Sequence, residues 1–234
     1  MIFHIPHSGI DVLDYPVPQE QINLATDWFT DELFEHQNSD RVVQSHSRLI
    51  VDCERLPDDI EPLFARGQGI VPSVDFFGNK LSFEIDKEKM IAVYNEHHKN
   101  LNAIARKTLC CIPVVFVVDC HSFGIHQIAV KQQDYDFCLG YNDDFDSFEM
   151  LNRMKEYIES KGFSVGINAP FSNAIVPSQF YGDGQVKSIM IEVNKRMYLT
   201  DDFQKSDGFE NTKFVISNLL GMISEEEMSF DSKI

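Results

Sequence analysis

Short apolar runs along the chain stop at unusual groups of polar residues. The longest run, residues 114–118, is rich in β-branched types, and Asp119, His121 and Ser122 follow it directly. Such a run is typical of a strand that is buried on both faces inside a parallel sheet. Because ligands of open α/β sheets bind outside the carboxyl ends of the strands, these polar residues are candidates for chemistry.

The same pattern occurs at three further places, residues 2–5, 48–51 and 188–194. The last of these alternates, so that Glu192 and Asn194 share one face of the predicted strand. If four such strands ended at one edge of a sheet, their polar side chains would converge. The converging candidates form an inventory typical of a metal hydrolase: His7, Arg48, Asp52, Arg55, His121 and Glu192.

Helical periodicity lies between these runs. Residues 21–37 predict one helix in which Asp27 and Asp31 lie one turn apart on the same side. The two acids suit a solvated helix start, and at least one of them could instead reach a metal. A second helix is predicted over residues 86–107, with His98 on its buried side. Further expectations are strands near 136–140 and 163–167, helices over 145–161 and 212–223, and a fraying tail at 225–227.

Composition restricts the function classes. The 234 residues are 43% hydrophobic and 24% charged, which suits one α/β domain that spans residues 1–234. The formal net charge of -17 argues against nucleic acid or an anionic membrane as a partner, but not against a small anion held by local arginines. With no leader, no membrane-spanning run and five cysteines outside any CxxC spacing, a cytoplasmic protein with reduced thiols is expected.

Two imidazoles and one carboxylate are a common ligand set for one catalytic zinc ion. His7, His121 and an acid from the early helix, Asp27 or Asp31, are the candidates here. Glu192, which lies on the polar face of its strand, suits the base that takes a proton from an attacking water. Arginines offer forked donors to a substrate carboxylate or an oxyanion, and Arg48 and Arg55 flank the run that ends at Asp52.

Other assignments of the same residues remain open. Ser8 and Ser122 each adjoin a histidine, but no Gly-x-Ser-x-Gly motif supports a serine nucleophile. Cys120 could be a nucleophile, although its apolar neighbours favour a packed thiol. A third reading is that the histidines only satisfy a polar crevice, and a lone buried histidine such as His98 is often a hydrogen-bonded core residue.

Seven motifs, taken in order, carry a resemblance to a known family, the N-formylglutamate amidohydrolase (deformylase) family. They run from about residue 3 to residue 200, and their order makes the set more specific than any one of them. The motifs are Pro6-His7-Ser8-Gly9, residues 26–34 (TDWFTDELF), residues 47–55 (SRLIVDCER), Gly69-Ile70-Val71-Pro72, Asp119-Cys120-His121-Ser122, Asn168-Ala169-Pro170-Phe171 and residues 191–199 (IEVNKRMYL).

The resemblance implies a zinc-dependent hydrolase whose mixed, mostly parallel α/β sheet lies between helices, as in zinc carboxypeptidases and aspartoacylases. It implies N-formyl-L-glutamate as the substrate, cleaved to glutamate and formate at the end of histidine degradation. It also implies His7 and His121 as metal ligands together with the acid of the Asp27/Asp31 pair. It implies Glu192 as the catalytic base and Arg48 as a second catalytic residue, with Arg48 and Arg55 as clamps for a carboxylate. The other substrate-binding residues it implies are Asp52, Asn194 and His98.

Two positions depart from the family pattern. Cys53-Glu54 stands where members often have a small or aliphatic residue and Asn, and Phe29 stands where some have His. The first departure affects the part of the site expected to hold the substrate. Two other functions therefore stay open: a carboxypeptidase-like peptidase or deacylase acting on another small substrate, and a catalytically silent protein that binds an acidic metabolite.

Overall fold

A computed structural model describes residues 1–37, 39–57, 59–124 and 133–231, and its centre is a sheet of six strands. The strands are β1 (Ile2–Ile5), β2 (Asp40–Val43), β3 (Val115–Phe123), β4 (Phe137–Gly140), β5 (Val165–Ile167) and β6 (Val186–Asn194). Their order across the sheet is β2-β1-β3-β6-β4-β5, and the neighbouring pairs are parallel except β4 with β6. The predicted α/β class with a mixed, mostly parallel sheet is confirmed.

Helices cover both faces of the sheet. They are α1 (Gln19–Ala25), α2 (Thr30–Leu33), α3 (Lys87–Leu109), α4 (Phe148–Ser160) and α5 (Phe209–Asp231). The helix predicted over residues 86–107 is confirmed as α3, and Asp86 is its N-cap, because the Asp86 carboxylate accepts a hydrogen bond from the backbone N–H of Lys89 at 3.1 Å. Within the described residues, no helix is long and apolar enough to cross a membrane.

The two faces of the central strand β3 belong to different parts of the core. Phe116 packs in the larger apolar cluster with residues of α4 and α5, whereas Val115 and Val117 pack in a smaller cluster with residues of α3. Side chains alternate along a strand, so the next residues on the α3 face are Asp119 and His121. The α3 face of the sheet is therefore apolar at one end and polar at the end where β3 finishes.

The prediction of one continuous helix over residues 21–37 is wrong, because a non-helical segment separates α1 from α2. Thr26 ends α1, and Phe29 adopts a left-handed conformation with φ of 59°. The backbone N–H of Asp27 donates to the carbonyl oxygen of His7 at 2.9 Å instead of continuing the helix. This tertiary contact separates Asp27 from Asp31 and brings Asp27 to the end of β1.

The strand predicted over residues 48–51 is also wrong. The backbone N–H groups of Ile50 and Val51 both donate to the carbonyl oxygen of Ser47, at 3.0 and 3.2 Å, so the segment is a turn. Ile50 and Val51 are buried against α3 and neighbouring loops, and Leu49 packs with residues of α1, so none of them lies within the sheet. A short apolar run cannot by itself distinguish a buried strand from a buried turn.

The last helix is longer than predicted, and the expected tail at residues 225–227 belongs to it. The Glu227 carboxylate accepts hydrogen bonds from the N-terminal amine of Met1 at 2.8 Å and from the backbone N–H of Phe116 at 2.9 Å. These contacts tie the end of α5 to the start of β1 and β3. The prediction of a solvated tail is therefore wrong.

Candidate active site

The loop after β1 delivers His7 to the polar end of the sheet, where its side chain is buried. Gly9 allows this path, because a Cβ atom there would lie 2.4 Å from the backbone carbonyl group of Ser45. Backbone atoms cannot give way as a flexible side chain can, so the close approach needs glycine. The close approach to Ser45 thus explains why the Pro6-His7-Ser8-Gly9 motif ends in glycine.

His7 and His121 both turn their Nδ1 atoms towards the carboxylate of Asp27. Asp27 Oδ2 lies 3.6 Å from His7 Nδ1 and 3.5 Å from His121 Nδ1, and all three side chains are buried. Within the described part of the chain, His7 Nδ1 and both Asp27 carboxylate oxygens have no hydrogen-bond partner. A buried carboxylate without hydrogen bonds is costly unless a cation lies next to it. Lys195 Nζ is one such cation, 3.6 Å from Asp27 Oδ1, and Oδ2 faces the two imidazoles, where a metal ion would be a second.

The other ring nitrogen of each histidine faces a second carboxylate. His7 Nε2 is hydrogen-bonded to Asp52 Oδ1 at 2.8 Å, and His121 Nε2 lies 2.9 Å from Asp119 Oδ1. Metal-binding histidines usually present one nitrogen to the metal and donate the other N–H to a carboxylate or carbonyl. The arrangement therefore turns both Nδ1 atoms, and not the Nε2 atoms, towards Asp27.

Glu54 creates a second possible donor set. Its carboxylate lies 3.6 Å from His7 Nε2 and 3.5 Å from His121 Nε2, and the three residues are close enough to hold a metal ion together. His7 Nε2 is already hydrogen-bonded to Asp52, however, and Glu54 is 27% exposed whereas Asp27 is buried. We therefore favour the donor set with Asp27. Sequence reasoning noted Glu54 only as a departure from a family pattern, although its place directly before Arg55 was a usable signal.

The buried charges perturb one another's proton affinities. Burial alone would raise the pKa of Asp27, but His121, His7 and Lys195 outweigh it and hold that pKa well below its usual value. Glu192 lies opposite His121 in the pairing of β3 with β6, and burial raises its pKa to about 8 against the opposing effect of His121. Without a metal ion, Glu192 is therefore largely protonated at neutral pH.

Asp52 holds two arginines at the edge of this group. Arg48 Nη2 lies 2.9 Å and Arg55 Nε 3.2 Å from Asp52 Oδ2, and the arginine side chains are 18% and 20% exposed. Burial opposes ionisation of Asp52, but the two arginines hold its pKa well below the usual value. Lys195, which sequence reasoning missed, lies 3.6 Å from Asp27 Oδ1 and donates to the carbonyl oxygen of Leu24 at 3.1 Å.

Three of the predicted site residues do not face the two histidines and Asp27. Asp31 is exposed on α2, away from the two histidines that Asp27 faces. The Asn194 amide donates to Asp134 at 2.7 Å and to the carbonyl oxygen of Tyr135 at 3.0 Å. His98 Nε2 is hydrogen-bonded to the carbonyl oxygen of Cys53 at 2.9 Å, so this imidazole supports the loop that carries Asp52, Glu54 and Arg55.

Comparisons with known proteins identify the fold and the family of the chain. A crystal structure of N-formylglutamate amidohydrolase from Ralstonia eutropha JMP134 is similar, with a TM-score of 0.84, 19% identity, and coverage of 97% of this chain and 94% of that chain. A gene product of Agrobacterium tumefaciens, Atu2144, matches with a TM-score of 0.65, 17% identity, and coverage of 97% and 91%. These two likenesses concern the fold, and no curated protein matches the sequence. The model of the N-formylglutamate amidohydrolase family matches residues 1–199, and the chain therefore belongs to that family.

Proposed function

We propose that the protein is a zinc-dependent amidohydrolase that cleaves the formamide bond of N-formyl-L-glutamate, or of a close N-acyl amino acid, to formate and the free amino acid. Family membership supports the reaction class. The observation that carries the metal is the buried Asp27 carboxylate, which faces two histidine Nδ1 atoms and has no hydrogen-bond partner within the described residues.

The chemistry of the donor set fits zinc. Two neutral imidazoles and one carboxylate are a usual set for a catalytic site that keeps a position open for water. Donors at about 2.0–2.1 Å from a tetrahedral zinc are about 3.4 Å apart, and the Asp27 oxygen lies 3.5 and 3.6 Å from the histidine nitrogens. A bound zinc ion would supply a Lewis acid and would lower the pKa of water to about 7. His7, His121 and Asp27 are the residues that would hold it.

Glu192 is the group we assign to proton transfer. It is buried beside His121, with a pKa of about 8 in the absence of a metal, and its Oε2 has no hydrogen-bond partner among the described residues. A carboxyl group whose pKa lies near the working pH can accept a proton from water and return it to the leaving amine. Added positive charge nearby would lower the pKa of Glu192 and favour the carboxylate needed at the start of the reaction.

Arg48 and Arg55 suit two of the anionic groups of the reaction, the developing oxyanion and a carboxylate of the substrate. Both guanidinium groups are oriented by Asp52 and remain partly accessible. We assign Arg48 to the oxyanion that develops at the amide carbonyl, since preorganised donors stabilise charge that appears only in the transition state. Arg55 is assigned to the carboxylate of the amino acid, for which a fork of N–H donors is well suited.

Formate release from N-formyl-L-glutamate tests this proposal. Purified protein would be stripped of metal, reconstituted with one equivalent of zinc, and compared with the chelated sample and with Glu192→Gln. Formate that appears only in the zinc-loaded wild type supports the substrate and the metal together. Failure to release formate, in protein shown to hold one zinc ion, would reject N-formyl-L-glutamate as the substrate.

Glu54 favours a second candidate within the same reaction class. Its carboxylate lies 3.6 Å from Arg48 and adds a negative charge at the accessible side of the site. A substrate with an uncharged side chain would meet less repulsion there than N-formyl-L-glutamate. N-formyl-L-glutamine, which differs by that one charge, is the matched comparison. Binding of both compounds with turnover of neither would instead support a catalytically silent binding protein.

A further inference from the structure

A row of buried side chains runs away from the candidate metal centre, behind His121. Asp119 Oδ1 lies 2.9 Å from His121 Nε2 and is hydrogen-bonded to His4 Nδ1 at 2.7 Å. His4 Nε2 is in turn 2.9 Å from His97 Nε2, on α3. All four side chains are buried, and His4 has no exposed surface. The catalytic roles assigned above do not use His4 or His97.

The proton positions in this row follow from one carboxylate. A carboxylate only accepts hydrogen bonds, so His4 must donate from Nδ1 to Asp119. His97 is neutral, because burial first and His4 second lower its pKa to about 2. One Nε2 atom of the His4–His97 pair therefore donates to the other across 2.9 Å, so each ring orients its neighbour in the row.

Asp119 is held from a second side. Its Oδ2 accepts the backbone N–H of Ile175 at 2.9 Å, while Oδ1 is hydrogen-bonded to His4 Nδ1 and lies 2.9 Å from His121 Nε2. His4 and Asp119 are also direct partners in the pairing of β1 with β3. A carboxylate fixed at both oxygens keeps Oδ1 at 2.9 Å from His121 Nε2, the nitrogen that would retain its proton when Nδ1 gives up its own to a metal.

We propose that His4 is a positioning residue for His121. It holds the Asp119 carboxylate against His121 Nε2 and so keeps His121 Nδ1 turned towards Asp27. This inference rests on the proposed function, because it assumes that His121 binds the metal through Nδ1. A purely structural role for His4, satisfying buried polar groups, would leave zinc affinity unchanged once the protein is folded.

Zinc affinity separates the two roles. The dissociation constant for zinc would be measured by competition with a chromophoric chelator in wild type, His4→Phe and His4→Asn. Phenylalanine keeps the ring volume and removes the N–H, whereas the asparagine amide can replace the Nδ1 donor. We expect His4→Phe to weaken zinc binding about 10–100-fold, the usual cost of losing such a partner, and His4→Asn to recover most of it. Cobalt(II) absorption of the same variants reports the ligand geometry directly.

Asn102→Leu is the matched control, since Asn102 is buried on α3 and hydrogen-bonded to Ser178, outside the row. It should lose stability but retain zinc affinity. If His4→Phe does not fold, His97→Leu takes its place, with weaker zinc binding expected. Wild-type zinc affinity in His4→Phe, or an equal loss of zinc affinity in Asn102→Leu, would overturn this inference and leave the proposed function standing. Wild-type protein that binds no zinc would overturn the proposed function and this inference with it.

Discussion

Asp27 and Glu54 make opposite predictions for metal binding. If Asp27 completes the donor set of His7 and His121, Asp27→Asn removes an anionic ligand, whereas Glu54→Gln removes a neighbouring charge only. Loss of a mere supporting partner already costs 10–100-fold in metal affinity, so loss of a ligand should cost at least about 100-fold. The two substitutions each replace one acid by its amide and are therefore a matched pair.

The size of the effect can be worked out for thermal unfolding. With free zinc at about 100 times the dissociation constant, binding stabilises the folded wild type by about 2.7 kcal/mol. For a chain of 234 residues, this should raise the Tm by about 5–10 °C. A site weakened 100-fold gains only about 0.4 kcal/mol at the same zinc concentration, so the rise should shrink to about 1–2 °C in Asp27→Asn.

Differential scanning calorimetry of the three proteins, with and without zinc in a metal buffer, measures this directly. We expect the full zinc-dependent rise in wild type and in Glu54→Gln, and a residual rise in Asp27→Asn. The reverse result, a rise lost in Glu54→Gln and kept in Asp27→Asn, would refute our choice and assign the metal to His7, Glu54 and His121. Chelated samples report the change in intrinsic stability of each variant.

Three further predictions concern catalysis, pH and the core. Glu192→Gln should lower formate release at least about 10²–10⁴-fold while zinc titration remains as in wild type; unchanged turnover would remove Glu192 from the mechanism. Burial, and then His4, lower the pKa of His98 to about 4, so the unfolded chain binds a proton below about pH 6.5 that the folded protein does not. The free energy of unfolding of the metal-free protein should therefore fall from pH 6.5 towards pH 4. His98→Gln, which can still donate to the carbonyl oxygen of Cys53, should make this pH dependence weaker in urea titrations. An unchanged pH dependence in the variant would contradict the assignment to His98. Phe116→Ala should cost about 3–5 kcal/mol in urea unfolding, whereas Phe214→Ala, at a side chain that is 58% exposed, should change little; equal losses would contradict the packing argument.

The elements that the sequence predicts correctly are those whose hydrophobic and capping residues all lie within the element itself. The run before His121 is buried on both faces of the sheet, and five consecutive apolar residues are a direct consequence of that environment. The helix that begins after Asp86 combines an apolar stripe with a capping acid. Both signals lie within one element, so no knowledge of distant contacts is needed to recognise them.

The parts that were mispredicted depend on contacts between distant segments. The helix around Asp27 is broken because its backbone N–H donates to the carbonyl oxygen of His7, twenty positions earlier in the chain. Residues 48–51 form a turn, and the N–H of Asp52 pairs with the carbonyl oxygen of Ile70. Local periodicity carries no information about such partners. The position of Glu54 in the site follows from the same turn, which explains why the sequence did not single it out as a donor.

Charge links the metal to the role of Glu192. Five acids of the site, Asp27, Asp52, Glu54, Asp119 and Glu192, face three cations, Arg48, Arg55 and Lys195, which leaves a formal excess of two negative charges. Without a metal, protons relieve this excess, because burial raises the pKa of Glu192 to about 8 and the acids around His121 raise its pKa despite burial. A divalent cation supplies the same two charges and releases those protons. The excess negative charge thus keeps Glu192 protonated in the metal-free protein and also attracts the cation. Once the cation is bound, Glu192 is ionised and can accept a proton from water.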